Sequence, residues 1–526
     1  METSPDRISL DDLLDSRWEA LDRQASDWAE MAGGVERGEP NVALLNALKL
    51  RYYGVKLLRW ATVCQAWVPE LPGGVTWHGA RNRDEDYADV LQSICQFYHR
   101  PCSLHWHDLP PAVKHSPPPN PWWRRWAGKG WSWGQKLAGK EKRIVGKPRF
   151  LLCGNPQWLG HVADGLQQEG AEIGWLYDRF AFRAAWDAVK QNRRLFFCDS
   201  STGSKHRVPM PQSAPLDFQG VDLSGVLLRW LEQRAALVGA NQAKLIEQID
   251  RHLHAWRPDL LVLDEDATPM ARGAIYLGRK YGIRSVVLQH GVPFVRFGFA
   301  PMLADCVAVW GEASKQQLIG WGVPGDRIVV TGCPKHDCLI RISSSPSHPR
   351  PRLLLLCTVP PTADRPDSLE FHLTPRTHRR LLHAACSAAQ QLQADLLIKA
   401  HPRAPHDTAL TEALADFPTL RWQRVQGDLS KWVAQSDVVL SCASSSGIEA
   451  ALCGGKVIQL MPEGAADLIP ALSWGLLATA HNADELLPLL KHAISQSPPP
   501  PFPAASLSVE SPSLPRVLQL LRSMAS

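Results

Sequence analysis

The sequence predicts an α/β protein with two Rossmann-like, doubly wound parallel-sheet domains and a helical N-terminal extension. Short, almost wholly apolar runs such as LLVL (260–263) alternate with helical patterns of about 10–15 residues, which is typical of parallel strands joined by right-handed crossovers. A polar, proline-containing stretch at 343–351 interrupts this alternation, which then restarts. The chain has 526 residues, which is enough for two such domains.

The same patterns divide the chain into segments. Residues 1–70 have helical apolar spacing and form the extension, and residues 71–340 form a first α/β domain. An insert at 109–147 combines proline clusters, tryptophans and an excess of Lys and Arg. Residues 350–495 form a second α/β domain, and 496–526 a proline-rich tail with a short helix. We expect the two domains to face a cleft, because doubly wound sheets bind ligands beyond the carboxyl ends of their strands.

Composition excludes several classes of protein. Apolar residues make up 45% and charged residues 21% of the chain, as in soluble globular proteins. A net charge of +5 is too small for a nucleic-acid-binding surface. The polar N-terminus predicts no secretory signal, and no run of about 18 apolar residues predicts a membrane span. The 12 cysteines include no CxxC pair, so we expect buried thiols in the cytoplasm and no zinc site.

Three acidic residues follow the buried strand LLVL. Asp264, Glu265 and Asp266 precede a predicted helix, so one of them could simply cap that helix. Three acids together are more than capping needs, and a carboxylate in a cleft could take a proton from a sugar hydroxyl.

A histidine ends the next strand, in VVLQHG. His290 stands between Gln289 and Gly291, and a glycine at this point would permit a backbone turn that other residues do not adopt easily. A single histidine is more often structural than catalytic, but its position at a strand end favours a catalytic role for His290.

The stretch LLIKAHPR places several cations at another strand end. Lys399, His401 and Arg403 could donate hydrogen bonds to a phosphate, and the arginine could do so with two prongs. The alternative is a solvated turn that leaves the core.

The fourth strand end is rich in serine. In SCASSSGIEAALCGGK, Ser444, Ser445 and Ser446 stand at a predicted helix start, where free backbone N–H groups and hydroxyls favour an anion. Gly447 lies in the same first turn. Ser446 and Glu449 also fit a capping box, and both interpretations can hold. No Walker loop is present, and no GxGxxG fingerprint follows a predicted strand.

Five motifs of the chain, taken together and in order, resemble those of GT-B-type glycosyltransferases that make bacterial surface polysaccharides. They are DED, QHG, GVPGDRIVVTGCPKHD, KAHPR and SSSGIEAALCGGK. This group includes capsule Kdo transferases and polysialyltransferases. A more distant similarity extends to CDP-glycerol glycerophosphotransferases and to UDP-N-acetylglucosamine 2-epimerases. The resemblance covers about 255–470, and it implies that His401 and Ser444–Ser446 hold the nucleotide phosphate and that an acid of 264–266 is the general base.

The chain departs from these families at several points. Ala267 replaces the glycine that ends the acidic motif, and Ser441-Cys442-Ala443 replaces an aspartate-aromatic pair of the glycerophosphotransferases. Gln289-His290-Gly291 stands where the epimerases have an acidic loop with arginine, which argues against epimerisation.

The resemblance implies a glycosyltransferase that moves a sugar from a CMP-, CDP- or UDP-linked donor to a surface-polysaccharide or lipid-linked glycan acceptor. We expect inversion without metal or cofactor, because fixed cations can replace Mg²⁺ at the leaving group. The segment 121–147 could touch the inner face of a membrane through tryptophan and basic residues, or it could be a proline-braced loop whose tryptophans pack on the domain surface. The alternatives are a CDP-polyol phosphotransferase and a non-catalytic GT-B-like binding or scaffold protein.

Overall fold

A computed structural model gives the fold of most of the chain. Almost all of the predicted insert at 109–147, most of the proline-rich tail and Arg403 lie outside the described residues. The described residues are 10–33, 40–71, 73–80, 84–107, 146–178, 182–198, 205–211, 215–293, 296, 298–339, 348–360, 375–402, 404–442, 444–462, 475–495 and 512–526.

Two parallel sheets dominate the structure and confirm the predicted α/β class with two Rossmann-like domains. Residues 21–290 belong mainly to one compact unit and residues 308–517 to the other. The larger sheet is formed by β3 (Arg149–Cys153), β4 (Glu172–Tyr177), β5 (Arg194–Phe197), β8 (Leu260–Leu263), β9 (Arg284–Leu288), β10 (Cys306–Val309) and β11 (Ile328–Val330). The smaller sheet is formed by β12 (Arg352–Leu356), β13 (Asp395–Lys399), β14 (Trp422–Arg424), β15 (Val438–Cys442), β16 (Val457–Leu460) and β17 (Ala478–Ala480).

Each sheet has its first strand in an interior position. The larger sheet has the order β11-β10-β9-β8-β3-β4-β5, and the smaller sheet has the order β14-β13-β12-β15-β16-β17. The first strands, β3 and β12, therefore each have a neighbouring strand on both sides, and the chain continues first on one side and later on the other. Such a reversal of strand order is a topological switch point, where loops diverge and leave a crevice.

The central strands are buried on both faces because helices cover the sheets. Every residue of β3, β8 and β15 is buried. Full burial of one Val, Leu or Ile side chain stabilises the fold by about 1.5–3 kcal/mol. The helices that follow the N-terminal extension are α4 (Glu85–Phe97), α5 (Pro156–Gln168), α6 (Phe182–Lys190), α7 (Ser224–Trp256), α8 (Pro269–Lys280), α9 (Glu312–Gly320), α10 (Pro375–Gln391), α11 (Thr408–Ala415), α12 (Leu429–Val433), α13 (Ser445–Leu452), α14 (Ala483–Ser495) and α15 (Ser513–Ala525).

The predicted helical N-terminal extension is also confirmed. It consists of α1 (Leu10–Gly33), α2 (Val42–Leu45) and α3 (Ala47–Trp67). A parallel pair of strands follows, β1 (Val75–Ala80) and β2 (Cys102–His107), with α4 as its crossover. Two minor antiparallel strands, β6 (Asp217–Phe218) and β7 (Val221–Asp222), precede α7. All the cysteines whose side chains the structure describes are free thiols, and only Cys102 among them is not buried.

The loop after β11 holds the start of the last helix. The Asp337 carboxylate accepts hydrogen bonds from the backbone N–H of Ser513 (2.8 Å) and of Leu514 (3.0 Å). Arg516 donates from Nε to the carbonyl oxygen of Thr331 at 2.9 Å. Because the first N–H groups of a helix lack partners within the helix, Asp337 acts as a cap supplied by a distant segment.

We predict that Asp337→Ala frees the start of α15. Loss of the capping carboxylate should destabilise this docked helix by about 0.5–2 kcal/mol. Hydrogen exchange followed by mass spectrometry should show faster exchange for the amides of residues 513–525. The exposed Asp326, in the connection between α9 and β11, gives the control variant Asp326→Ala. Equal exchange rates in both variants would contradict the capping role.

Candidate functional site

The switch point of the smaller sheet lies between β12 and β15. These strands pair in parallel with Leu356 opposite Ser441, so both end at the same edge. Cys357 and the buried Thr358 follow β12, and the serine-rich segment follows β15. His401 lies beyond the end of β13, the neighbour of β12 on the other side. The two predicted phosphate motifs therefore stand beyond the strands that flank β12, at one edge of the sheet.

Ser444 caps α13, which corrects the predicted capping box. Its Oγ accepts from the backbone N–H of Ser446 at 3.4 Å and lies 2.7 Å from the Ser446 Oγ. The cap is therefore two residues earlier than the Ser446–Glu449 pattern predicts. Ser445 and Ser446 lie in the first helical turn, where N–H groups and the helix dipole favour negative charge.

Gly447 sets the distance between α13 and β15. A Cβ at this position would lie 2.5 Å from the Oγ and 2.7 Å from the Cβ of Ser441. The Ser441 hydroxyl in turn donates to the carbonyl oxygen of Ser444 at 3.2 Å. Glycine is therefore required for the helix to approach the strand closely, and the approach fixes where the serines lie.

Glu449 is paired with a residue that sequence reasoning missed. Lys335, in the loop after β11, donates from Nζ to Glu449 Oε1 at 2.7 Å. The Nε2 atom of the buried His336 lies 4.0 Å from the same oxygen. Burial, together with the Lys335 charge, lowers the pKa of His336 to about 3, so its ring is neutral at pH 7. The only signal in the sequence was the GCPKHD string, which does not reveal its spatial partner.

The loop after β13 is a tight turn anchored at both ends. Lys399 donates from Nζ to the carbonyl oxygen of Gly427 at 2.9 Å, so it is engaged with a neighbouring loop. The Ala404 N–H donates to the His401 carbonyl oxygen at 2.9 Å, in an isolated antiparallel bridge. Farther along, the buried carboxylate of Asp407 caps α11 through Ala409, at 3.0 Å.

Asp407 is also joined to a buried histidine. His378 Nε2 lies 2.8 Å from Asp407 Oδ2, and both side chains are almost fully buried. Burial by itself raises the pKa of Asp407, but the hydrogen bond and charge of His378 outweigh it and lower the pKa below its usual value. The pair ties the loop that carries His401 to the first turn of α10.

The acidic motif lies at the switch point of the larger sheet, between β3 and β8. The Asp264 carboxylate accepts from the backbone N–H of Asn155 at 2.7 Å, directly after β3. A Cβ on Gly154, which has φ +154°, would collide with this carboxylate. The Asp266 carboxylate accepts from the N–H groups of Leu303 (2.6 Å) and Ala304 (3.0 Å). Both aspartates therefore hold loops in place.

Glu265 differs from its two neighbours in the motif. It is partly exposed, whereas Asp264 and Asp266 are buried. Burial, followed by the charges of the two aspartates, raises the pKa of Glu265 to about 7. None of the three acids caps the next helix, because the Thr268 hydroxyl accepts from the Ala271 N–H at 3.3 Å and does so instead. The capping interpretation of the motif was wrong.

His290 contacts the backbone of the acidic motif. Its Nδ1 lies 2.6 Å from the carbonyl oxygen of Asp264, and its ring stacks on Phe299 with 5.3 Å between centroids. A carbonyl oxygen can only accept, so Nδ1 carries the proton and Nε2 is the acceptor in the neutral ring. Burial lowers the pKa of His290, which favours this neutral form. Gly291 has no positive φ, so the expected glycine-dependent turn was wrong.

The described residues form neither a metal-binding cluster nor a membrane-spanning helix. Within the described part of the chain, no group of three or more His, Cys, Asp or Glu residues is arranged to hold a metal ion. Among the helices formed by described residues, none combines the length and apolar character needed to cross a bilayer.

The chain matches no protein family and no characterised protein sequence. Solved structures with a similar fold include the UDP-GlcNAc 2-epimerase of Methanocaldococcus jannaschii, at 11% identity over 72% of this chain and 99% of that chain, with a TM-score of 0.44. The lipopolysaccharide outer core galactosyltransferase WaaB shows 13% identity over 71% and 99% of the chains, with a TM-score of 0.44. A glycosyltransferase of Rickettsia africae shows 15% identity over 72% and 94%, with a TM-score of 0.43.

We predict that Gly154→Ala disturbs the acidic motif. The added methyl group must displace the Asp264 carboxylate and weaken its hydrogen bond to Asn155, which should cost about 1–3 kcal/mol of stability. Thermal unfolding should show the loss as a lower melting temperature. Gly160→Ala is the control, because a Cβ there meets nothing within 4 Å and helical alanine is favoured over glycine. A melting temperature unchanged by Gly154→Ala would refute this arrangement.

Proposed function

We propose that this protein is a glycosyltransferase that uses a nucleotide-activated sugar donor. The observation that carries the proposal is the arrangement of two loops at the switch point of the smaller sheet. A serine-capped helix N-terminus follows β15, and the His401 turn follows β13, on either side of β12. The proposed acceptor is a surface-polysaccharide or lipid-linked glycan, with inversion at the sugar carbon and no metal ion.

The donor phosphate would be held by the first turn of α13. Backbone N–H groups there and the hydroxyls of Ser445 and Ser446 would donate hydrogen bonds to its oxygens. His401 would add a donor, and Arg403 is proposed from sequence alone. As the bond to the sugar breaks, negative charge grows on the leaving phosphate, and fixed donors stabilise it without reorganisation. Loss of one such donor raises the barrier by about 2.7–4 kcal/mol in comparable sites.

Lys335 would act indirectly on this site. Its ion pair with Glu449 lies one turn into α13 and fixes the helix to the loop after β11. A cation near a helix N-terminus opposes the helix dipole, but the paired carboxylate offsets that effect. Glu449 therefore contributes to the position of the donor site, and its proposed nucleotide-binding role is indirect.

The general base would be Glu265. Asp264 and Asp266 are engaged by backbone N–H groups, which leaves Glu265 as the acid of the motif best suited to accept a proton. A base with a pKa near the working pH combines the correct ionisation state with sufficient basicity. His290, with its Nε2 lone pair, would orient the acceptor hydroxyl by accepting or relaying its hydrogen bond.

Two other functions remain as alternatives. Transfer of a polyol phosphate from a CDP-linked donor would use the same phosphate site. In that reaction the bond between the two phosphates of the donor breaks, whereas sugar transfer breaks the bond between the sugar carbon and the phosphate oxygen. A non-catalytic binding protein would retain nucleotide binding without turnover, which the Ala267 replacement favours. A cytoplasmic location with peripheral membrane contact through 121–147 is also part of the proposal, and it rests on the composition of that segment.

We predict that one of CMP, CDP, UDP and GDP raises the melting temperature of the protein. A ligand at one hundred times its Kd stabilises the folded state by about 2.7 kcal/mol. His401→Ala should remove most of this shift, because it removes a phosphate donor. His406→Ala, in the same loop and exposed, should leave the shift unchanged. The absence of a shift with all four nucleotides, or an equal shift in His401→Ala, would count against the donor site.

We predict that Glu265→Gln reduces turnover about 10²–10⁴-fold while nucleotide binding persists, because the amide cannot accept the proton. In the wild-type protein, activity should rise with pH as Glu265 ionises at about 7. The substitution should abolish that limb of the pH profile. Glu232→Gln, on the exposed face of α7, is the control. Retention of the limb in Glu265→Gln would exclude Glu265 as the base.

A further inference from the structure

A separate cavity lies at the amino-terminal edge of the smaller sheet. Its volume is about 280 Å³, and it is lined by residues of β12, β13, β14 and α12 with its flanking segment. Arg352, Asp395 and Trp422 are the first residues of their strands. Strands rise about 3.3 Å per residue, so a five-residue strand separates this cavity by about 16 Å from the opposite edge of the sheet, which carries the proposed phosphate site.

The cavity floor carries an alternating row of charges. Arg352 pairs in register with Asp395, and the carbonyl oxygen of Arg421 accepts from the next residue of β13, Leu396, at 2.9 Å. Among the described residues, no ion pair of 4.0 Å or less joins the three charged side chains of this row. The Nε atom of Arg352 is buried without a hydrogen-bond partner in the described part of the chain. The row therefore offers both donors and acceptors to a ligand.

Two tryptophans complete the cavity lining. Trp422 is 45% exposed, which is unusual for so large an apolar side chain. Trp432 donates from Nε1 to the carbonyl oxygen of Gln426 at 2.7 Å, and this hydrogen bond fixes the orientation of the indole ring. Lys431 Nζ lies 5.1 Å from the centre of the same ring. Rigid indole faces of this kind provide contact area with little loss of conformational entropy.

This combination matches the surface of a sugar. A pyranose ring has a patch of C–H groups on its face and hydroxyls around its rim. Indole faces suit the first feature, and planar groups that bind neighbouring hydroxyls in pairs, such as those of Arg421, Asp395 and Gln423, suit the second. The volume lies just below the range of about 300–1,000 Å³ for small-molecule pockets, which suits one or two sugar units.

Charge narrows the ligand further. Two arginines and one aspartate give the cavity a net positive charge, which favours a ligand with a single carboxylate. A nucleotide phosphate would bring more negative charge against Asp395. We propose that this cavity binds one or two units of an acidic glycan. This binding goes beyond the transferase function, because it needs neither the nucleotide site nor turnover.

Saturation-transfer NMR and calorimetric titration with full-length protein test the proposal. The acidic probes are a tetramer of α2,8-linked N-acetylneuraminic acid and tetragalacturonic acid, and the neutral probe is maltotetraose. We expect at least one acidic probe to bind more tightly than maltotetraose. Trp422→Ala should weaken that binding about two- to tenfold through loss of the stacked ring.

Matched variants separate the cavity from other surfaces. Trp186→Ala removes a somewhat more exposed tryptophan from α6 and should leave glycan binding unchanged. Arg421→Ala, also at an exposed position, should weaken binding of the acidic probe more than that of maltotetraose, because the carboxylate loses a charged partner in addition to hydrogen bonds. It serves as a second test if Trp422→Ala does not fold.

The outcomes distinguish this proposal from the transferase proposal. Binding that persists in His401→Ala and is weakened in Trp422→Ala or Arg421→Ala supports the cavity, whether or not a nucleotide binds. Failure of both acidic probes to bind, or binding unaffected by both cavity variants, overturns it. Displacement of the probe by UMP would identify a nucleotide cavity and overturn it as well. If the protein binds the acidic probe but no nucleotide, that result contradicts the transferase proposal and leaves the cavity proposal intact.

Discussion

The interior position of the first strand in each sheet is the constraint on which the rest of the candidate site depends. β3 and β12 each have neighbours that lead away in opposite directions, so the loops beyond their carboxyl ends diverge. Polar groups can stand there without a helix packed over them. The acidic motif and the serine-capped helix occupy the two positions that this topology opens, and both are held by glycines that allow close approach.

Hydrogen bonds within the protein separate structural polar groups from groups able to act on a ligand. Asp264, Asp266 and Asp407 are buried, and each carboxylate accepts backbone N–H groups. A buried carboxylate without such partners would carry a large desolvation penalty, so these contacts are what permit its burial. Glu265, between two of these aspartates in sequence, and Ser445, at the start of α13, are partly exposed. The structural carboxylates thus fix the backbone that positions the candidate reactive groups.

The architecture was predictable because apolar strand patterns and helical spacing are local properties of the sequence. The strand ends that carry Asp264, His290, His401 and Ser444 were identified in the same way. Contacts between distant segments were not predictable. The Lys335–Glu449 pair joins residues 114 positions apart. The predicted capping box was wrong because the helix begins two residues earlier, with Ser444 as its cap. Likewise, the acids after β8 could have capped α8, but Thr268 lies closer to its start.

The proposed phosphate site would rely on helix dipoles as well as on side-chain charge. Two lysines near α13 and the β13 loop are engaged within the protein, because Lys335 is paired with Glu449, and Lys399 contacts Gly427 beside Asp428, whose pKa its charge helps to lower. Arg424 also lies at this loop, where it donates to the carbonyl oxygen of Pro405 at 3.4 Å. The N–H groups in the first turn of α13 and the serine hydroxyls are uncharged hydrogen-bond donors. The close contact of Gly447 with Ser441 fixes their orientation. In the proposed site, the geometry of this one helix turn would decide how well these donors meet a phosphate.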